Sequence, residues 1–183
     1  DLDEVQERLV ASDQARLVPS PGFSNEDPDN PPPRAIFVLT DRPQPQSGAE
    51  LTLEQVPKGI ASIYLFGKQT DREARIEVVP SSIGGEQTAS DILTDIADGK
   101  LGKSDSTEEI SQVPVLTDSM AWNPVFPEDT PQDKIQELSL EHRTASLTNI
   151  FPKIKLAALG GITPEEASDD FEGRIKLDAC LLI

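Results

Sequence analysis

Apolar and polar positions change their spacing several times along the chain, and each change marks a different element. In residues 1–18, Leu2, Val5, Leu9 and then Leu17 or Val18 recur with charges between them, a spacing that predicts an amphipathic helix. Asp3 and Glu4 fall in its first turn, where the helix dipole favours acids. From 19 to 33 the periodicity is lost. Pro19, Pro21, Pro28, Pro31, Pro32 and Pro33 are interleaved with Ser, Asn and Asp, which predicts a linker or irregular surface loop with short polyproline character at 31–33.

Residues 34–40 (RAIFVLT) are β-branched, aromatic and bounded by turn formers, so they predict a strand. A polar loop at 41–48 follows, and then Leu51, Leu53 and Val56 alternate with polar residues as a short half-exposed strand would. Residues 60–66 and 74–79 predict two more strands, joined by a connector of hairpin length. In the second of them Ile76 and Val78 alternate with Arg75 and Glu77, so one face of the sheet is expected to be wet. Ile92, Leu93 and Ile96 form the stripe of a helix from Thr88 or Ser90 to Ala97, closed by Gly99.

Residues 100–109 are charged and contain Gly and Ser, the composition of a boundary between units. Beyond it, 113–116 reads as an edge strand. The stretch 118–129 carries Met120, Trp122 and Phe126, while Pro124 and Pro127 break any regular element there. Such an aromatic loop is either a binding surface or a plug for its own core. Thr130-Pro131 opens a helix through Ile135 and Leu138 to Leu140 or His142. The apolar set Leu147, Ile150, Phe151, Ile154, Leu156 and Leu159 contains Pro152, where a helix starts or kinks.

The best-punctuated stretch is 156–167 (LAALGGITPEEA). Gly160 and Gly161 suit a left-handed helix end, Thr163 suits an N-cap, and Pro164 suits the first helical position. Asp169 or Asp170 can cap a last helix carrying Phe171, Ile175, Leu177, Leu181 and Leu182. The expected fold class is α+β: a small antiparallel sheet with flanking helices, followed by a mostly helical C-terminal part. The expected organisation is a helix at 1–18, a linker at 19–33, a β-rich unit at 34–99 and a helical unit at 100–183.

Charge narrows the range of partners. The 183 residues include 33 acidic and 16 basic side chains, for a net charge of −17. This disfavours nucleic acid and anionic membranes, which need clustered Lys and Arg. It favours a basic protein partner, or else serves only solubility. With 36% hydrophobic residues, 4% aromatics and 16 prolines, part of the chain is expected to stay outside the core. The single cysteine, Cys180, allows no intramolecular disulfide and no zinc cluster. It reads as a small buried hydrophobe in a reducing, cytoplasmic setting. No window has the length of a membrane span, and Asp1 opens no signal peptide. The missing initiator methionine and the Leu-Leu-Ile ending read as a piece of a longer chain.

Candidate chemistry is sparse. One histidine, His142, cannot build a His-based metal site, and in Leu-Glu-His-Arg it reads as a helix-end cation. Asp91 with Asp95, and Glu166 with Asp170, are spaced to share a helix face. Such pairs suit acid/base hydrolysis, but also a solvated surface. Gly84-Gly85 stands at a strand-to-helix turn without a phosphate-binding pattern around it. No cofactor or metal is expected.

The run 156–182 (LAALGGITPEEASDDFEGRIKLDACLL) resembles the helical tail of Xre/ParS-type antitoxins and similar tails in some SecA C-terminal-motif proteins. The resemblance implies a bacterial source and a helix-corner-helix unit used for packing or protein contact. The strand-rich first half departs from the helix-turn-helix of such antitoxins, and the cysteines of the SecA-type motif are absent. The expected function is a non-catalytic protein-interaction or regulatory module of a larger protein, acting through a protein partner or by self-association. The alternatives are a carboxylate-based hydrolase and an antitoxin-like binder. Trp122, Phe126, Met120, Leu181 and Leu182 are the expected interaction surface.

Overall fold

Alternation in two central strands builds the main core. In Ala35–Thr40, Ala35, Phe37 and Leu39 are buried, and in Gly59–Phe66 the same holds for Ala61, Ile63 and Leu65. The computed structural model describes residues 1–19, 32–68, 72–82, 85–102, 106–108 and 114–181. Its sheet is a four-stranded antiparallel meander in the order β1 (Ala15–Val18), β2 (Ala35–Thr40), β3 (Gly59–Phe66) and β4 (Arg75–Pro80). Phe37 lies opposite Ile63, and Ile63 opposite Val78. One face thus becomes a continuous apolar layer.

Helices α1 (Leu2–Ala11) and α2 (Glu86–Ala97) cover that layer. Val5 and Leu9 from α1 join Ala89, Leu93 and Ala97 from α2 in one cluster with the strand residues. Burying a side chain such as Phe37, Leu9 or Ile63 contributes about 1.5–3 kcal/mol, so this cluster is the principal source of stability. At the rim, Arg8 reaches Asp98 at 3.2 Å and Lys100 reaches Glu4 at 3.5 Å. These exposed pairs contribute little beyond alignment of the two helices.

The N-terminal helix is shorter than its sequence pattern. It stops at Ala11, and Leu17 and Val18 belong to β1, paired with Phe37 and Ile36. Residues 1–18 and 34–99 therefore share one sheet and one core, with 19–33 as the connection between two neighbouring strands. Of that proline-rich stretch, 20–31 lie outside the described residues, as does Gly84.

Three other expectations differ. Residues 51–56 form no strand: Leu53–Gln55 is a single 3-10 turn, and Leu51 and Val56 both point into a second, smaller core. A strand at 113–116 is replaced by helix α3 (Val115–Met120), with Pro114 just before its first turn, where proline is tolerated. Thr130 does not cap α4 (Gln132–Ala145), because its hydroxyl donates to the carbonyl of Pro127 instead. Helix α4 then continues as a π-turn at Ser146–Ile150 and a 3-10 turn at Phe151–Lys153, where Pro152 ends the helical hydrogen bonding.

The corner at 156–167 is built as its residues dictate, although a 3-10 turn, Ala157–Leu159, precedes it rather than a full helix. Gly160 and Gly161 take φ of 78° and 86°, a region costly for any residue with a Cβ. Thr163 and Glu166 form a reciprocal capping box at the start of α5 (Pro164–Ala167). Asp170 then accepts from the Gly173 amide at 2.7 Å to open α6 (Phe171–Leu181).

Gly173 sets the seat of α6. A Cβ there would lie 2.2 Å from the carbonyl oxygen of Ala167, a backbone atom that cannot swing aside. Gly173→Ala would gain about 1 kcal/mol of helix propensity, yet overpacking against a fixed neighbour costs about 1–3 kcal/mol or more. The clash wins. Gly173→Ala is expected to lower the urea midpoint of the C-terminal region, and an unchanged or raised midpoint would refute this seating of α6.

Candidate functional site

Two places deserve a chemical reading: the aromatic seam around Trp122 and the outer surface of the C-terminal helices. The seam begins at the entry to β3. The Gly59 amide donates to Asn123 O at 2.7 Å and the Val125 amide to Pro57 O at 2.9 Å. The segment after α3 is thereby paired along the chain leading into the sheet. Arg16 of β1 secures its far end, donating to the Phe126 carbonyl and lying 3.6 Å from Glu128.

This pairing turns Trp122 and Phe126 towards the second core of Leu51, Val56 and Leu138. The two rings meet edge to face with centroids 6.0 Å apart, the favoured arrangement of aromatic quadrupoles. On its other side the indole is stacked by His142 of α4, at 4.4 Å and nearly parallel (7°). The His142 Nε2 lies 3.4 Å from the hydroxyl of buried Ser146, one helical turn on. Partial burial, aided by the Lys58 charge, holds the His142 pKa below its ordinary value. The imidazole is therefore neutral near pH 7.

Of the residues expected to bind a partner, Trp122 and Phe126 are half-buried in this seam, and Met120 ends α3 half-exposed. The structure brings the two aromatics together and adds His142. Leu181 is the last residue of α6, and Leu182 lies outside the described residues. Half-buried Cys180 is a free thiol.

The four carboxylates of the two spaced pairs are all exposed. Asp91 and Asp95 stand exposed on α2, and Asp91 accepts from Gln87 at 2.7 Å. Glu166 caps α5, which ends at Ala167, so it shares no continuous helix with Asp170. Among the described residues, three carboxylates have a displaced pKa, and all three are displaced downward. For Asp41 partial burial acts upward, but the Arg42 guanidinium and the Lys58 amide outweigh it. Asp129 is lowered by the Ser47 hydroxyl and the Gly48 amide, and Glu166 by the Thr163 amide and hydroxyl. Each is a loop or helix staple. Among the described residues, no group of three or more His, Cys, Asp or Glu side chains could hold a metal ion.

The second place is apolar. Leu140, Leu147 and Ile150 project from α4 and its π-turn, and Ile162, Phe171 and Ile175 from the corner and α6, all exposed. In α6 the side bearing Gly173 faces the body, and Phe171 and Ile175 occupy the opposite side at i and i+4. The apolar pattern placed both on a last helix without deciding which side they take. The overlooked signal was the glycine in mid-helix, which marks the side of close approach.

Among the described residues, no helix is long and apolar enough to cross a membrane. Compared with known proteins, the chain matches no family model, no curated sequence and no solved structure. The geometry therefore carries the functional argument by itself.

Trp122 is the sole tryptophan and His142 the sole histidine, so their stack can be read by emission. Protonated imidazole quenches indole fluorescence. As pH falls, Trp122 emission is expected to drop with a midpoint below the ordinary histidine value of about 6.5, and the step should vanish in His142→Gln. Because folding lowers this pKa, the stability it confers is complete above about pH 6.5 and is lost as pH falls through the folded-state value. A flat emission profile, or a step retained in the variant, would show that the rings do not stack.

Proposed function

We propose that this chain is a non-catalytic protein-interaction module whose partner-facing surface lies on its C-terminal helices. One observation carries the reading. Of the large hydrophobic side chains exposed among the described residues, Leu140, Leu147, Ile150, Ile162, Phe171 and Ile175 all fall between α4 and α6, whereas Val10 and Leu17 lie elsewhere. Single exposed apolar residues are ordinary on any surface. Their concentration in one stretch of the chain, residues 140–175, with Phe171 at 73% and Leu140 at 65% exposure, is what points to a docking surface there.

The sheet half of the molecule serves as scaffold in this reading. Its apolar face is closed by α1 and α2, and its seam with the helical half is closed by Trp122 and Phe126. A lone thiol at Cys180 and the absence of a second cysteine fit a reducing, cytoplasmic setting.

The test is site-specific photo-crosslinking in the native host, with a benzophenone amino acid placed singly at Leu140, Phe171 and Ile175. Asp91 on α2 serves as the exposed control. Discrete adducts of one size from the C-terminal positions, and none from Asp91, are expected. No adducts, or the same set from all positions, would remove the basis for the proposal.

A further inference from the structure

The surface of α6 has a chemistry of its own, and the inference drawn from it rests on the reading above. Phe171 and Ile175 are 73% and 53% exposed. They stand one helical turn apart as two knobs on a single ridge. The ridge cannot rotate inward, because the opposite side of α6 is fixed by Gly173 against the Ala167 carbonyl.

The surroundings of the ridge are acidic. Residues 164–181 hold Glu165, Glu166, Asp169, Asp170, Glu172 and Asp178 against two cations, Arg174 and Lys176. Lys176 is already neutralised by Glu172 at 2.8 Å, and Arg174 donates to the Ser168 carbonyl at 3.1 Å. Asp169 precedes Phe171, and Asp178 lies three residues beyond Ile175, so carboxylates flank the apolar pair along the axis.

This pattern decides between occupants. A second copy would bring the same acidic flanks, and its own net charge of −17, against this one. An anionic membrane or a nucleic acid would be repelled in the same way. A neutral apolar partner would cover the knobs but bring no cation of its own to Asp169 and Asp178 as it desolvates them. We infer that the Phe171–Ile175 ridge docks a basic, amphipathic helix of a partner protein, whose apolar stripe receives the two knobs and whose Lys and Arg side chains meet Asp169 and Asp178. A helix fits because two side chains at i and i+4 form a ridge that seats in the groove between rows of another helix.

The probe is a fluorescein-labelled helical peptide of about 18 residues, with leucines at i, i+3, i+4 and i+7 and Lys and Arg on both flanks, titrated with the intact chain and followed by anisotropy. Three companions share its length: one with Gln flanks, one with Glu flanks, and a scrambled basic peptide. The basic amphipathic peptide is expected to bind most tightly. Phe171→Ser with Ile175→Ser, checked for an unchanged circular dichroism spectrum, should weaken it by at least about tenfold, as loss of two buried apolar anchors implies. Asp169→Asn with Asp178→Asn should weaken it several-fold and flatten its salt dependence.

Equal binding of the scrambled peptide would reduce the effect to net charge and overturn the inference, as would equal binding of the Gln peptide. A chain that dimerises by light scattering until Phe171 and Ile175 are replaced would assign the ridge to a second copy instead. If photo-crosslinks form at Phe171 and Ile175 but no basic helix binds, the choice of partner is wrong and the interaction reading stands. If no crosslinks form at all, the broader reading fails first.

Discussion

The C-terminal half of the molecule is held to the sheet by a short stretch of paired backbone. Gly59 donates to Asn123 and Val125 donates to Pro57, so the segment after α3 behaves as an added piece of strand. Each bond contributes only about 0.5–1.5 kcal/mol net. Their larger effect is geometric, because they turn Trp122 and Phe126 inward over Leu51, Val56 and Leu138. Without that placement the indole has no partner in His142, and the contact of Leu138 with Leu51 and Val56 loses its aromatic cover.

This dependence divides the labour between the two cores. The large one, under α1 and α2, is closed on itself and supplies most of the stability. The small one is a joint, rich in prolines and aromatics, where shape rather than area does the holding. Its polar staples follow the same logic. Asp41 gathers Arg42 and the Lys58 amide at the entry to β3, and Asp129 gathers Ser47 and the Gly48 amide beside α4. Their lowered pKa values report that the ionised forms are the structural ones.

The surface left over differs in kind. On the sheet side, charge pairs such as Arg75 with Glu77 lie at 2.7 Å, and the Arg75 guanidinium covers the Phe66 ring at 4.1 Å. There the Phe66 ring is capped by a polar group from the same chain, although Leu17 and Val10 stay exposed. On α6 the apolar pair is flanked by carboxylates, not covered by them. A glycine contact on one side of a helix has thereby decided what the other side offers to solvent.

By itself the sequence determined the strands it placed at 34–40, 60–66 and 74–79, each within one residue of its observed limits, the helix ending at Ala97 and the Gly-Gly-x-Thr-Pro corner. All of these rest on period or on capping, and both act within one or two turns of chain. It also determined the α+β class, because the β-rich and helix-rich halves separate along the chain. Tertiary structure decided the rest. Leu17 and Val18 fit a helical stripe equally well, and only pairing with Phe37 and Ile36 made them strand. Leu51 and Val56 alternate as a strand would, but a distant helix, through Leu138, gave them a core to fill. His142 became the neighbour of Trp122, and Phe171 and Ile175 became surface, through contacts that local periodicity does not encode: a register between distant segments and one close approach at Gly173.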